Sequence, residues 1–447
     1  MQEPLVNIGI MTEEEISIIF FGEYRCADFG KTISGEFNAK IASGKINVRG
    51  GINNFQTTKE IVFDPVDFDS DSFMLKDVPI GIKFHWEKKE NQRFHGALKL
   101  KMSGEKIIAI NIIPAEDYLA SVISSEMNPS GPFELLKTHA IISRSWLLNI
   151  VESSGQNSAT ASEREPKENQ PDEIIKWYGS EEHADFHVCA DDHCQRYHGI
   201  NKVINDNAYK AIEQTRGLIL QYEDKICDTR YSKCCGGITE NFENVWEPVP
   251  KKYLRKIFDY KFEQEGFNTD LTNERNAVKW ILGNPSAFCN TANKKILSTS
   301  LVGFDFETID FFRWRVIYTQ QELSAIILEK SGIDFGEIID LIPVERGHSG
   351  RLVKLKIIGS KEKKIIGKEL EIRRVLSRSH LYSSAIVIEK NVEGKKIPSS
   401  FTIYGAGWGH GVGLCQIGAA IMASKGYMFD EILLHYFKGA NIKKEYS

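Results

Sequence analysis

The chain lacks any apolar run approaching the roughly 18 to 20 residues that a membrane-crossing helix needs, so no helical span is predicted. Its opening, MQEPLVNIGIMTEEEISII, has no basic stretch leading into an apolar one, which is the layout of an export signal. Nothing in the sequence as written is therefore expected to anchor or export it. Positive charge is not in excess: 56 Lys and Arg against 61 Asp and Glu give a net charge of −5. Non-specific nucleic-acid binding draws on a basic surplus, so nucleic acid is not an expected partner. Cysteine is scarce, 8 in 447 residues, too few for a disulfide scaffold. The sequence shows no internal repeat and no coiled-coil heptads. It also has no H-E-x-x-H and no G-x-x-x-x-G-K-[ST], which removes the commonest metalloprotease pattern and the P-loop.

What is present is a folded chain. Hydrophobic residues make up 42%, aromatics 11% and charged residues 26%, near globular averages, and the length suits about three domain-sized units. Residues 1–113 read as a β-rich region, because EISIIFFG, KINVRG, GIKFHW, ALKLKM and KIIAINII recur between Gly, Asn and Asp turn signals. At Pro114 the pattern changes. Proline suits a first helical turn, Glu116 and Asp117 suit its positive end, and Tyr118, Leu119, Val122 and Ile123 recur at helical spacing. This predicts a short helix ending near Ser125 to Met127, then, after the NPSGP turn, a second from about Pro132 to Ile150. From Ser153 to Glu173 the only aliphatic side chains are Ala159 and Ala161, so that stretch is expected to be a mobile surface insertion. Residues 251–395 mix helix with strand, and 396–447 give a glycine-rich strand followed by two helices. The fold class is α+β in several discontinuous lobes.

Glu126 is a lone carboxylate where one helix stops and a proline-bounded turn begins. Helix C-terminal carbonyls carry partial negative charge, which eases protonation of a partly desolvated carboxyl, the condition a general acid needs near neutral pH. From spacing alone, a solvated surface glutamate is the plainer alternative. In HADFHVCADDHCQRYH, four histidines, His183, His187, His193 and His198, crowd around Cys189 and Cys194. Two thiolates and two imidazoles make a closed tetrahedral zinc site. His183, Cys189, His193 and Cys194 are the favoured ligands, with His187 in reserve and His198 outside. Four protein donors leave no open position, so this zinc is expected to be structural. Cys26, Cys227, Cys234, Cys235, Cys289 and Cys415 read as buried thiols. In YGAGWGHGVGLC the glycines at 405, 407, 409, 411 and 413 alternate. An extended chain would then present one bare face, with Ala406, Trp408, His410 and Val412 on the other; close strand packing without a ligand is the equal alternative.

These segments carry a family resemblance. EDYLASVISSEMNPSGPFELLKTHAIISRSW, YSKCCGGITENFENVW, SGRLVKLKIIG and GAGWGHGVGLCQIGAAIMASKGYMFDEILLHYFKGANI resemble the core motifs of the SpoIID/LytB family of cell-wall proteins, across most of residues 94–441. The resemblance implies a SpoIID-like core over residues 114–250, completed by 396–447, with the central helix pair carrying an active-site glutamate at Glu126 and a zinc-binding loop at 183–198. The implied activity is that of a lytic transglycosylase on peptidoglycan glycan strands. It implies substrate-cleft roles for Arg144, Ser232, Trp408, His410 and Gln416, and a place in the periplasm or cell envelope, although no signal peptide is present in the sequence. The rival reading within the same family is a glycan-binding enhancer of a cell-wall amidase that does not itself cut. The sequence departs from the family pattern at Cys415, where the family has serine, and at Lys233 and Cys234 before the CGG turn. A Cys415/His410 nucleophile pair is the remote alternative, since a cysteine on an apolar helix is usually buried.

Overall fold

The computed structural model describes residues 2–82, 87–156, 172–178, 183–191, 193–203, 205–262, 265–302, 308–392, 394 and 397–447. Most of the expected insertion, residues 157–171, and residues 83–86 of the GIKFHW stretch lie outside them.

Alternation of apolar and polar residues in the first third builds one large sheet. Its main path runs, by residue range, 188–189, 5–13, 106–114, 97–103, 60–65, 15–26, 31–42, 45–50 and 53–57, with strands 72–80 and 88–94 branching from 15–26. Neighbours are antiparallel except at one edge, where Ile8 pairs with Val188 and Gly9 with Cys189 in parallel. That edge stitches the histidine and cysteine segment to the sheet.

The strand Lys106–Pro114 runs straight into helix α1 (Ala115–Glu126), and α2 follows as Phe133–Gln156. Eleven of the twelve α1 residues, all but Asp117, are buried, so this helix is an interior element from end to end. Its last turn closes with Met127 in extended geometry, which leaves Glu126 at the carbonyl end as the sequence predicts. Helix α2 continues six residues beyond the expected Ile150, through Val151 and then Glu152 to Gln156, which carry no apolar pattern. Glu173, the last residue of the expected insertion, opens a strand, Glu173–Ile175, parallel to Ile365–Gly367.

One hydrophobic core joins the sheet (Ile8, Phe20, Leu98) to α1, α2 and the C-terminal helices Gln416–Ser424 and Phe429–Tyr436. A second core, around Leu323, Leu355 and Ile403, fills a smaller β-rich part built from strands 313–319, 338–346, 352–359, 386–391 and 400–406. The architecture is mixed α+β, with a β-rich N-terminal sheet, a buried helix pair and a mixed C-terminal part.

The glycine segment is not the extended strand its alternation suggests. The strand Ser400–Ala406 stops, and Gly407, Gly409, Gly411 and Gly413 each take positive φ, between 73° and 93°. Period-two glycine here serves a tight coil that only glycine enters without strain. A Cβ on Gly413 would lie 2.0 Å from the Arg230 carbonyl oxygen, so the bare backbone faces protein. The coil closes on a short parallel pair, Tyr231 with Leu414 and Ser232 with Cys415, which delivers the CGG turn and the following helix to α1 and α2.

Candidate active site at the end of the buried helix

Glu126 retains 8% of its surface. The Arg196 N–H and the Tyr231 O–H both donate to its Oε1, each at 3.1 Å, while Oε2 has no donor among the described residues. Tyr231 packs edge-on against His139, ring centres 4.8 Å apart. The Gln416 amide donates through Nε2 to His139 Nε2 at 3.2 Å. The imidazole therefore accepts at Nε2, carries its proton on Nδ1, and donates to Ser143 Oγ at 3.2 Å. A carboxylate, a phenol, a neutral imidazole and a carboxamide thus meet from α1, strand Tyr231–Ser232, α2 and the helix beginning at Gln416. No second carboxylate is hydrogen-bonded into this group among the described residues.

Burial pushes the His139 imidazole down to about 4, with the negative Glu126 pulling the other way, so His139 is neutral near pH 7. The unfolded chain binds a proton there below about 6.5 and the folded chain only below about 4, so stability rises with pH between those values. Stability is expected to fall by a few kcal/mol as pH drops from 6.5 to 4, with part of that loss absent in His139→Gln; urea titrations at stepped pH check this.

The other residues singled out by sequence take varied places. Gln416 joins the Glu126 group through His139. Arg144 does not: its guanidinium is wholly buried, donates from Nε and Nη2 to the two Glu116 oxygens at 2.9 and 2.6 Å, and reaches the Leu218 carbonyl from Nη1. Ser232 is buried next to Tyr231, and its Oγ has no partner among the described residues. Trp408 stacks on Tyr382 at 3.9 Å and leans on Phe311 at 5.1 Å, so the face turned to Tyr382 is closed to a sugar ring. His410 accepts the Val412 N–H at Nδ1 and packs against Trp246. Desolvation and the charges of Arg230, Arg351 and Arg373 push it down to about 3, so it is a neutral brace for the glycine coil. Sequence reasoning gives no site role to His139, Tyr231 or Arg196. Tyr231 opens the YSKCCGG segment, but nothing in that segment places it beside Glu126, 105 residues away; Arg196 acts through its backbone, which no side-chain pattern reveals.

The four favoured metal donors do converge. His183 Nε2 lies 3.2 Å from His193 Nδ1 and 3.3 Å from Cys194 Sγ. His193 Nδ1 lies 3.6 Å from Cys194 Sγ and 4.0 Å from Cys189 Sγ. Two nitrogens on one tetrahedral zinc sit about 3.3 Å apart, and a nitrogen and a sulfur about 3.6 Å. The donor set fits zinc in both chemistry and spacing. His187 faces elsewhere, accepting the Asn7 N–H on the sheet edge, and His198 stays outside, its N–H on Ser125 Oγ. The same loop supplies the Arg196 N–H to Glu126, and Gln195 Oε1 accepts the Tyr118 O–H at 3.2 Å. A second convergence, Cys235, Asp259, Cys289 and Cys415, lies fully buried. No helix among the described residues is long and apolar enough to cross a membrane.

Residues 103–222, which include Glu126, α2 and the histidine and cysteine loop, match the family profile described as Stage II sporulation protein. Residues 240–413 match a domain of unknown function, DUF8618. The chain is 30% identical over 242 residues to the Amidase enhancer of Bacillus subtilis (strain 168), an overlap of 53% of this chain and 33% of that protein. It therefore spans about a third of that relative's length. It is 25% identical over 339 residues to the Stage II sporulation protein D of Bacillus amyloliquefaciens, covering 75% of this chain and 76% of that one. The B. subtilis protein of that name is 24% identical over 337 residues, with 75% and 76% covered. The profile falls on the helix pair and loop that assemble around Glu126, and two proteins of one name are similar over about three quarters of this chain, so residues 103–222 form a SpoIID-family region.

Proposed function

We propose that the protein is a peptidoglycan lytic transglycosylase that cleaves between N-acetylmuramic acid and N-acetylglucosamine in the cell envelope. The observation that carries this reading is Glu126: one carboxyl at the end of a buried helix, both donors on Oε1, and Oε2 left for a ligand. In the proposed reaction Oε2 delivers its proton to the glycosidic oxygen, the bond from that oxygen to the muramic anomeric carbon breaks, and positive charge builds at that carbon. The sugar's own 6-hydroxyl then closes on it, assisted by the substrate's N-acetyl oxygen, and gives its proton back to the Glu126 carboxylate. The product is a 1,6-anhydro end, no water is consumed, and Glu126 finishes protonated. One carboxyl suffices where ordinary glycosidases use two, in keeping with the neutral Tyr231, His139 and Gln416 around it. Tyr231 and the Arg196 N–H fix the carboxyl's orientation. Digestion of purified glycan strands, with and without stem peptides, tests the reading: anhydro ends made by the protein and not by Glu126→Gln support it.

Structural zinc held by His183, Cys189, His193 and Cys194 would supply rigidity to the loop carrying Arg196. Cys194→Ser is expected to lower cleavage at least about 10-fold and to speed hydrogen exchange at the Arg196 and His198 amides. Unchanged exchange in a metal-free variant would remove the bracing role.

A second reading rests on the similarity to a protein named Amidase enhancer: the chain binds glycan and stimulates a cell-wall amidase without cutting. Unchanged strands, together with retained binding and raised amidase turnover, favour it.

A further inference from the structure

The buried cysteines that the sequence reading set aside are not scattered. One donor atom from each of Cys235, Asp259, Cys289 and Cys415 lies within 4.8 Å of all the others, and none of the four residues is more than 2% exposed. Cys235 Sγ and Cys289 Sγ are 3.7 Å apart; two thiolates on one tetrahedral zinc are separated by about 3.8 Å. The donors are also oriented from outside, as metal ligands are. Cys415 Sγ accepts the Cys235 N–H at 3.2 Å and the Gly418 N–H at 3.4 Å, while Asp259 accepts the Cys289 N–H on Oδ2 at 2.8 Å and the Tyr436 O–H on Oδ1 at 2.6 Å. Each of these atoms keeps a lone pair free. Asp259 has no ion-pair partner among the described residues, and a buried carboxylate is normally paired or bound to metal.

We infer that Cys235, Cys289, Cys415 and Asp259 form a second, fully buried zinc site. Three thiolates and one carboxylate complete a tetrahedron with no open position, so the ion is structural. Its place gives it a task. Cys415 belongs to the parallel pair that also holds Tyr231, and it caps the helix whose first residue, Gln416, reaches His139. Cys235 begins the glycine turn after that pair, and Asp259 and Cys289 come from two further loops. The ion would tie these four segments together next to Tyr231 and Gln416, as zinc on the first donor set would tie the loop that carries Arg196. The inference does not depend on whether the protein cuts glycan.

Elemental analysis and native mass spectrometry of the purified full chain test it. Two zinc ions per chain are expected. The double variant Cys189→Ser/Cys194→Ser keeps one, which is lost when Cys289→Ser is added, whereas Cys26→Ser, at an isolated buried thiol, keeps both. Zinc-edge X-ray absorption of the unmodified chain needs no variant and should report five sulfurs among eight donors over the two sites, against two among four if only the first site is filled. A zinc-free double variant overturns the inference. So does an intact mass lower by two hydrogens with Cys235 joined to Cys289 as a disulfide.

Discussion

Glu126→Gln should lower the rate of anhydro-end formation from glycan strands by about 10²- to 10⁴-fold, the range that a positioned general acid contributes. The substitution isolates the proton. Glutamine keeps the volume, and its amide oxygen still accepts from the Arg196 N–H and the Tyr231 O–H that hold Oε1. Fold and strand binding should therefore persist while the chemistry stops. Tyr231→Phe removes only the orienting phenol and should act more mildly, through a single hydrogen bond worth about 1 kcal/mol. Steady-state kinetics on defined strands, with binding measured in parallel, separate the two. A Glu126→Gln protein that cuts at an undiminished rate would place the acid elsewhere.

The second large effect is on stability. Arg144→Met should reduce the unfolding free energy by about 3–5 kcal/mol, because removing one member of a buried pair leaves the other charged and uncompensated. Here the stranded group is Glu116, which would keep only the Gly217 N–H and the Tyr446 O–H on Oε1. The pair joins the start of α1 to the middle of α2 and, through Leu218 and Tyr446, to the strands Leu218–Tyr222 and Asn441–Lys444. Replacing both members, Arg144→Met with Glu116→Leu, should recover much of the loss. Denaturant unfolding of the three variants checks this. An Arg144→Met protein of undiminished stability but weakened glycan binding would restore the substrate-positioning role that the sequence reading gave this arginine.

Why some of this was legible in the sequence follows from the range of the interactions. The start of α1 is written locally, in Pro114, Glu116, Asp117 and the apolar residues at helical spacing, and the structure begins and ends that helix where those signals fall. The first candidate donor cluster is also local, all four residues lying within 183–194. Local signals mislead where two geometries share one pattern. Alternating glycines suit a bare strand and a left-handed coil equally, and only contacts such as Gly413 against the Arg230 carbonyl decide for the coil. The end of α2 has no apolar signature. The neighbours of Glu126 were out of reach for another reason: Arg196 is 70 residues away, Tyr231 is 105 away, and His139 meets Gln416 across 277. The second cysteine cluster is the extreme case, drawing on four segments with no recognisable spacing.

In the proposed reaction a single proton from Glu126 breaks the glycan strand without water entering the product. Digestion of purified strands in water enriched in oxygen-18, followed by mass spectrometry of the new ends, measures this directly. The predicted result is 1,6-anhydro-N-acetylmuramic ends carrying no label. Labelled reducing ends, or strands left intact by a protein that binds them, would contradict it.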